Sequence, residues 1–369
     1  LIRQEQSGGA YPTRNAGIDH ATGDLITVHD SDDWSHPQRI ELQVRALESR
    51  KDIIATKSHW TRVNEDLEVI GSWIPKGTLI DLNFSSLLFR RELLDVVGRW
   101  DDVLVSGDAE FYSRLKRMYG PNAILKLPRE QVLAFSLARQ SSLTRSKSTH
   151  LRSLFYGLRD NYRKSYLHWH SRLVGATGQL PFDAKEGARK FPVPLGNQPG
   201  ARKTNHKYDL VVISDFAMRG GALMSTLHYV IGASMSGMSV AIFHWRRYDL
   251  AVDVPLQSAV YEACTEHGVD IIGPGDSIDA DTVLIGYPAI LQYKIQPAPD
   301  IRTKNLIVIV NQFASRLIDG KDEQYDPQLA RENLTSLFGT EGVWVPISRK
   351  VHRLMSDDSR YSACLLYTS

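Results

Sequence analysis

The chain reads as an α/β protein in two units, the second of them a doubly wound parallel sheet. Three observations carry that prediction. From Tyr208 to Ile347, short apolar runs alternate with segments of helical spacing, the pattern of strands joined by crossover helices. From about Ala176 to Lys207 periodicity is lost, and Pro181, Pro192, Pro194 and Pro199 gather with glycines and basic residues, which predicts a linker. At 369 residues the chain also exceeds what one hydrophobic core usually organises.

In the first unit, an apolar run over Leu25–Val28 predicts a strand ending at His29 or Asp30. Ser35, Pro37 and Gln38 then read as an N-cap, a first-turn proline and a capping-box glutamine. Ile40, Val44 and Leu47 follow at helical spacing as one apolar face. Ile53–Ala55 and Leu87–Phe89 are short strand-type runs, and Glu110–Tyr119 predicts a helix stopped by Gly120-Pro121. From Leu151, the residues Phe155, Leu158, Tyr162, Tyr166 and Trp169 form an apolar stripe. Arg152, Arg159, Arg163 and Lys164 are expected on a solvated basic face, with contact to a membrane surface or an acidic ligand as the alternative. His150, His168 and His170 are expected in solvent.

In the second unit, Tyr208–Ser214 predicts a buried strand, Asp215–Gly221 a glycine-bearing turn, Ala222–Ser236 a helix and Val240–Trp245 a strand. Further signals span Pro255–His267, Val269–Ile272, Thr282–Ile285, Leu306–Val310, Gln328–Phe338 and Val343–Ile347. The uncharged stretch Ala222–Trp245 is long enough to span a bilayer. His228, several serines and a change of period near Gly237 favour a buried helix followed by a strand.

Bulk composition excludes classes rather than choosing one. Hydrophobic residues make up 42% and charged residues 23%, as in ordinary globular protein, and the net charge of +2 gives no ground for a nucleic-acid partner. Cys264 and Cys364 are too few for a disulfide framework or a cysteine zinc site, so a reducing, cytoplasmic setting is expected. The opening residues read as the interior of a domain, so the chain is expected to be a piece of a longer protein, and Cys364–Ser369 reads as translated adapter sequence.

The chemistry concentrates at Asp30-Ser31-Asp32-Asp33, three carboxylates in four residues on the turn after a strand, where open α/β sheets place their ligands. Carboxylates this close raise one another's pKa unless a cation or hydrogen-bond donors hold them ionised. A second acidic site, Asp108 and Glu110, opens a helix, where it either complements the helix dipole or supplies a base.

The run Gly9-Ala10-Tyr11-Pro12-Thr13-Arg14-Asn15-Ala16-Gly17-Ile18, with Ala21-Thr22-Gly23-Asp24, Asp30-Ser31-Asp32-Asp33 and His36-Pro37, resembles the central portion of a family 2 glycosyltransferase. The resemblance implies a GT-A fold lacking its first strands, and sugar transfer from a nucleotide-diphosphate donor to a hydroxyl of a glycan or lipid-linked acceptor. It implies that Arg14, Asn15, Asp30, Asp32 and Asp33 bind the donor. Asp32 and Asp30 would hold Mg2+ or Mn2+ with Asp33 and Asp24 in support, which fits a hard cation opposite a leaving diphosphate. Gly107-Asp108-Ala109-Glu110-Phe111 resembles the family's acidic motif, making Asp108 the base of an inverting reaction. The residue before that base is usually acidic in the family, and here it is Gly107. Arg139–Leu143 resembles the basic stretch that closes such sites.

Asp215–Ala222 resembles the glycine-rich acceptor-side loop in the N-terminal half of a GT-B, family 4-like glycosyltransferase, centred on Gly220 and Gly221. Glycines before a helix also suit phosphate. The expected organisation is therefore residues 1–175 GT-A, 176–206 linker, 207–363 GT-B N-terminal half and 364–369 adapter. No nucleic-acid partner is expected. A peripheral membrane contact would accompany a lipid-linked acceptor, and binding of nucleotide sugar or glycan without turnover is the alternative function.

Overall fold

The computed structural model describes residues 2, 8–70, 78–139, 149–173, 189–200, 205–247, 253–315 and 322–361. It divides into two compact units, Leu1–Lys190 with Asn197–Pro199, and Phe191–Gly196 with Gly200–Ser369. The stretch expected to be a plain linker is packed over its described part. Every residue from Phe191 to Asn197 is buried, and Asn197 accepts from Val105 N at 2.9 Å and donates to Val105 O at 3.1 Å.

In chain order the first unit carries α1 (Ala10–His20), β1 (Leu25–Thr27), β2 (Asp33–Ser35), α2 (Arg39–Glu48), β3 (Ala55–Lys57), β4 (His59–Val63), β5 (Ile80–Leu82), β6 (Leu88–Arg90), α3 (Leu94–Val97), α4 (Gly107–Tyr119), β7 (Ile124–Lys126), β8 (Val132–Leu137) and α5 (Leu158–Leu173). Among the described residues these strands form two mixed sheets, ordered β1-β6-β3-β7 and β2-β8-β4-β5. β3 runs parallel to β7 and β4 parallel to β8, and the remaining pairings are antiparallel. Phe89, Trp100 and Phe111 pack as one aromatic cluster with centroids 4.9–5.9 Å apart, which seats α4 against β6.

Expectations for α2 and α5 are corrected. Ser35 is not a helix cap: it lies in β2 opposite Ala134, and α2 begins at Arg39. Strand pairing satisfies the backbone there, with His36 N donating to Leu133 O at 2.9 Å. The buried face of α2 is Arg39, Gln43 and Leu47, while Ile40 is half exposed. Gln43 earns its burial by donating to Ser86 O at 2.7 Å and Thr56 O at 3.2 Å, as a buried amide requires. The basic face of α5 is not uniformly solvated either. Arg159 and Lys164 are buried, His170 is 2% exposed, and Phe155 of the expected stripe is the one left in solvent.

The second unit carries β9 (His206–Ser214), α6 (Gly221–Met235), β10 (Val240–His244), α7 (Ser258–His267), β11 (Asp270–Ile272), β12 (Ser277–Ile285), β13 (Asp300–Val310), α8 (Pro327–Phe338), β14 (Val343–Pro346) and α9 (Arg349–Ser356). Its sheet runs β11-β10-β9-β12-β13-β14, parallel throughout. That is the doubly wound order, with the chain reversing direction between β9 and β12. Val211, Val212, Ile213, Val283, Ile285 and Val308 are buried on the central strands, as a sheet covered on both faces demands. The Ala222–Trp245 stretch is a helix followed by a strand, and among the described residues no helix is long and apolar enough to cross a membrane.

Gly286, just after β12, lets α6 lie close to the sheet: a Cβ there would meet Thr226 Oγ1 at 2.5 Å and Ser214 Oγ at 3.3 Å. Gly286→Ala should therefore lower the stability of this unit by about 1–3 kcal/mol, an overpacking cost. Gly232→Ala, with nothing within 4 Å of the new methyl, should be neutral or stabilising by up to ~1 kcal/mol. Thermal unfolding of the two variants checks this, and equal losses would contradict it.

Candidate active site

Helix α1 turns the Tyr11-x-x-Arg14-Asn15 spacing into one face, because residues three and four apart are neighbours on a helix. Tyr11 and Asn15 are buried on it. The Arg14 guanidinium lies 5.1 Å from the Tyr11 ring centroid and donates to Asp30 Oδ1 at 2.6 Å. Asp30 follows β1 on a turn closed by Asp33 N donating to Asp30 O at 3.1 Å. Its second oxygen accepts from the Ser85 hydroxyl at 2.5 Å. Both oxygens of Asp30 thus accept from the protein itself.

Asp32 is exposed at the tip of the turn, and Asp33 enters β2 opposite Ser136. Burial, then the charges of Asp30 and Asp32, push the Asp33 pKa up to about 7 against hydrogen bonds from Ser136 and the Leu137 backbone. The crowding that the sequence implies is thus only partly relieved by protein donors. Among the described residues no cluster of three or more His, Cys, Asp or Glu side chains is arranged around a metal position. The donor set nevertheless fits a hard divalent cation of the magnesium type, which takes one or two carboxylates and completes its shell with phosphate oxygens and water. Asp32 and Asp30 would hold it.

The second acidic centre opens α4. Asp108 Oδ1 accepts from the Tyr11 hydroxyl at 2.8 Å and from Ala109 N at 2.9 Å. The residue before it must be small: a Cβ on Gly107 would lie 3.0 Å from the Tyr11 ring. Tyr11 therefore fills the space where an acidic neighbour would stand, and it contributes a hydrogen-bond donor instead of a second charge. Ser106 holds a left-handed backbone at φ 67°, a cost that non-glycine residues bear where the surroundings impose it. Buried Arg159 secures it, donating to Ser106 Oγ at 2.9 Å and to Thr149 O at 3.2 Å.

Asp30, Arg14, Tyr11 and Asp108 thus form one continuous chain of side-chain contacts. Three other expected residues stand apart from it. Asn15 is committed inward: its amide donates to Trp100 O at 2.9 Å and Asp102 Oδ1 at 3.1 Å and accepts from Trp100 N at 3.1 Å. It holds α1 in place and has no amide group left for a donor molecule. Asp24 precedes β1 while Asp30 follows it, so a strand of ~10 Å separates them, and Asp24 faces solvent. Glu110 is fully buried. Burial raises its pKa, but Arg114 and His170 outweigh burial and hold it below the ordinary range, with His170 Nε2 2.9 Å from Oε1. Of the Arg139–Leu143 stretch, residues 140–143 lie outside the described residues.

In the second unit, Gly220 takes φ 124° immediately before α6, a conformation that favours glycine. A Cβ on Gly221 would meet nothing within 4 Å. Sequence pattern alone does not mark Tyr11, Ser85 and Arg159 as site residues. The helical spacing of Tyr11 with Arg14 and Asn15 was the available signal for the first, while the others meet the site only through tertiary packing.

The glycosyl transferase family 2 sequence profile matches residues 1–103. The chain is also 28% identical over 139 residues to an uncharacterized glycosyltransferase, YwdF of Bacillus subtilis (strain 168), covering 32% of this chain and 48% of that protein. The chain thus spans about half the length of the curated relative it matches. Residues 1–103 are thus similar to the family 2 glycosyl transferases, and the wider match is to a protein named as a glycosyltransferase. Asp108 lies just beyond the matched span.

With a pKa raised from 3.8 to about 7, Asp33 favours the fold in its protonated form. That stabilisation is present below about pH 4 and lost as pH rises through about 7. Without added metal, the protein should lose on the order of 2 kcal/mol across this window relative to Asp33→Asn, after discounting for solvent screening. Parallel pH–stability curves for the two proteins would contradict the crowding.

Proposed function

We propose that the first unit, over residues 1–175, transfers a sugar from a nucleoside-diphosphate donor to a hydroxyl of a glycan or lipid-linked acceptor, with inversion at the anomeric carbon. The observation that carries this reading is the side-chain chain from Asp30 through Arg14 and Tyr11 to Asp108, which joins the two acidic centres in one site.

The acceptor hydroxyl gives its proton to Asp108 Oδ2 as its oxygen forms a bond to the anomeric carbon. The bond from that carbon to the diphosphate breaks, and the diphosphate leaves with the electron pair. Tyr11 keeps Oδ1 occupied and so aims the free oxygen. Arg14, planar and permanently charged, is suited to a diphosphate oxygen on the side where it meets Asp30. Mg2+ or Mn2+, when bound at Asp32 and Asp30, supplies positive charge against the leaving group. Gly107 does not argue for binding without turnover, because Tyr11 needs the space beside it.

The second unit, over residues 207–363, is proposed as the N-terminal half of a GT-B-type transferase. Its doubly wound order and the Gly220-Gly221 turn before α6 support that, with an acceptor or phosphate group at the turn. A lipid-linked acceptor would bring the protein to the cytoplasmic face of a membrane.

Release of sugar from a panel of nucleotide sugars, with Mn2+ and with chelator, is the test. Asp108→Ala and Asp32→Ala should each lower transfer by about 10²-fold or more, the range of a lost general base or charge stabiliser. Unchanged turnover in both variants would contradict the reading.

A further inference from the structure

A second route joins the two acidic centres besides the one through Arg14 and Tyr11. The Ser85 hydroxyl holds Asp30, and the residue before it, Phe84, meets Tyr112 edge to face with ring centroids 5.4 Å apart. Tyr112 stands four residues after Asp108 on α4, which puts both on one face of the helix with Cβ atoms about 5–6 Å apart. Helical side chains lean toward the N-terminus of their helix, and here that direction takes the Tyr112 ring toward Asp108. Lys116, the next residue on the face, leans the same way and brings its Nζ to 5.7 Å from the Tyr112 centroid.

The aromatic pair is closed on its inner side. Lys57, at the end of β3, has no solvent exposure, and its Nζ lies 3.2 Å from the Phe84 centroid and 4.1 Å from that of Tyr112. Phe84 and Tyr112 are themselves partly exposed, although their chain neighbours Ser85 and Phe111 are buried. The Tyr112 hydroxyl makes no hydrogen bond to any of the described residues.

A half-open aromatic pair with one free hydroxyl suits a ligand that has an apolar face and hydroxyls at its edge. A pyranose ring has that form, with C–H groups on its faces and hydroxyls around its rim. A lipid chain packed there would leave the Tyr112 hydroxyl without a partner and cut off from water, which costs binding. The base receives its proton from the acceptor, so the molecule lying along α4 from Asp108 to Tyr112 is the acceptor and not the donor.

We propose that Phe84 and Tyr112 seat the sugar ring of the acceptor, with the Tyr112 hydroxyl bound to one of its hydroxyls, so that the acceptor is a glycan presenting a pyranose rather than a bare lipid alcohol. The proposal rests on the reading of Asp108 as the base. Tyr112 selects the acceptor and takes no part in the proton transfer. An acceptor lacking the matching hydroxyl leaves Tyr112 unpaired and is rejected for that reason.

The test is an NMR titration of the full chain, labelled at the tyrosine rings, with a panel of methyl pyranosides and separately with UDP-glucose and Mg2+. The Tyr112 resonances are assigned by their loss in Tyr112→Phe. At least one methyl pyranoside should shift them. Its Kd, read from the ligand's own signals, should rise roughly 3–10-fold in Tyr112→Phe, the loss of one hydrogen bond, while that of UDP-glucose stays the same. A Tyr112 ring unmoved by the whole panel, an unchanged pyranoside Kd in the variant, or weakened UDP-glucose binding in its place overturns the assignment. Sugar transfer that survives Asp108→Ala would instead remove Asp108 as the base, a failure read in a separate assay.

Discussion

The ring of Tyr11 against Gly107 is the contact on which the rest of the first unit's site depends. It seats α1 on the first turn of α4 so closely that a Cβ on Gly107 would lie 3.0 Å from the ring. In that position the Tyr11 hydroxyl reaches Asp108 and its face receives Arg14. Arg14 then reaches Asp30, and Ser85 holds the other oxygen of that carboxylate. A glycine that departs from the usual acidic residue of the family is, in this chain, what makes room for the tyrosine joining the two acidic centres.

Around that contact several of the unit's buried charges are held in pairs or small networks. Glu110 sits between Arg114 and His170 with all three side chains out of solvent. Asp160 is held by Arg163 and Lys164, each at 3.0 Å. Asp101 accepts from Tyr162 at 2.9 Å and from Arg189 at 3.1 Å, and burial still lifts its pKa to about 6. Such networks are costly to leave half satisfied, so they fix one arrangement of α4, α5 and the residues before them. Asp108, in the first turn of α4, is thereby presented on a firmly held support. Lys57 departs from the pattern, with rings in place of a hydrogen-bond partner.

The second unit was largely legible in the sequence because a parallel sheet buried on both faces writes its strands as unbroken apolar runs. Leu210–Ile213, Val240–Phe243 and Leu306–Val310 all fall where those runs lie. The first unit was less so. Its sheets use several strands of three residues, too short for period to speak. Ser35 looked like a cap because capping and strand-end serines share the same local signature, and pairing with β8 decided between them. Asn15 looked like a ligand contact because an amide beside an arginine reads the same whether it faces a donor or Trp100. The carboxylate turn was plain from charge crowding alone. The partners that make it a site, Tyr11 and Ser85, come from α1 and the segment before β6, and only tertiary packing brings them together.

The central claim is that the carboxylate turn and Asp108 belong to one connected site. A double-mutant cycle in denaturant unfolding tests it most directly, comparing Asp30→Asn, Asp108→Asn and the double variant. Coupling of about 0.5 kcal/mol or more is expected for residues joined through one network. Additive effects, within about 0.3 kcal/mol, would mean that Arg14 and Tyr11 do not connect the two centres.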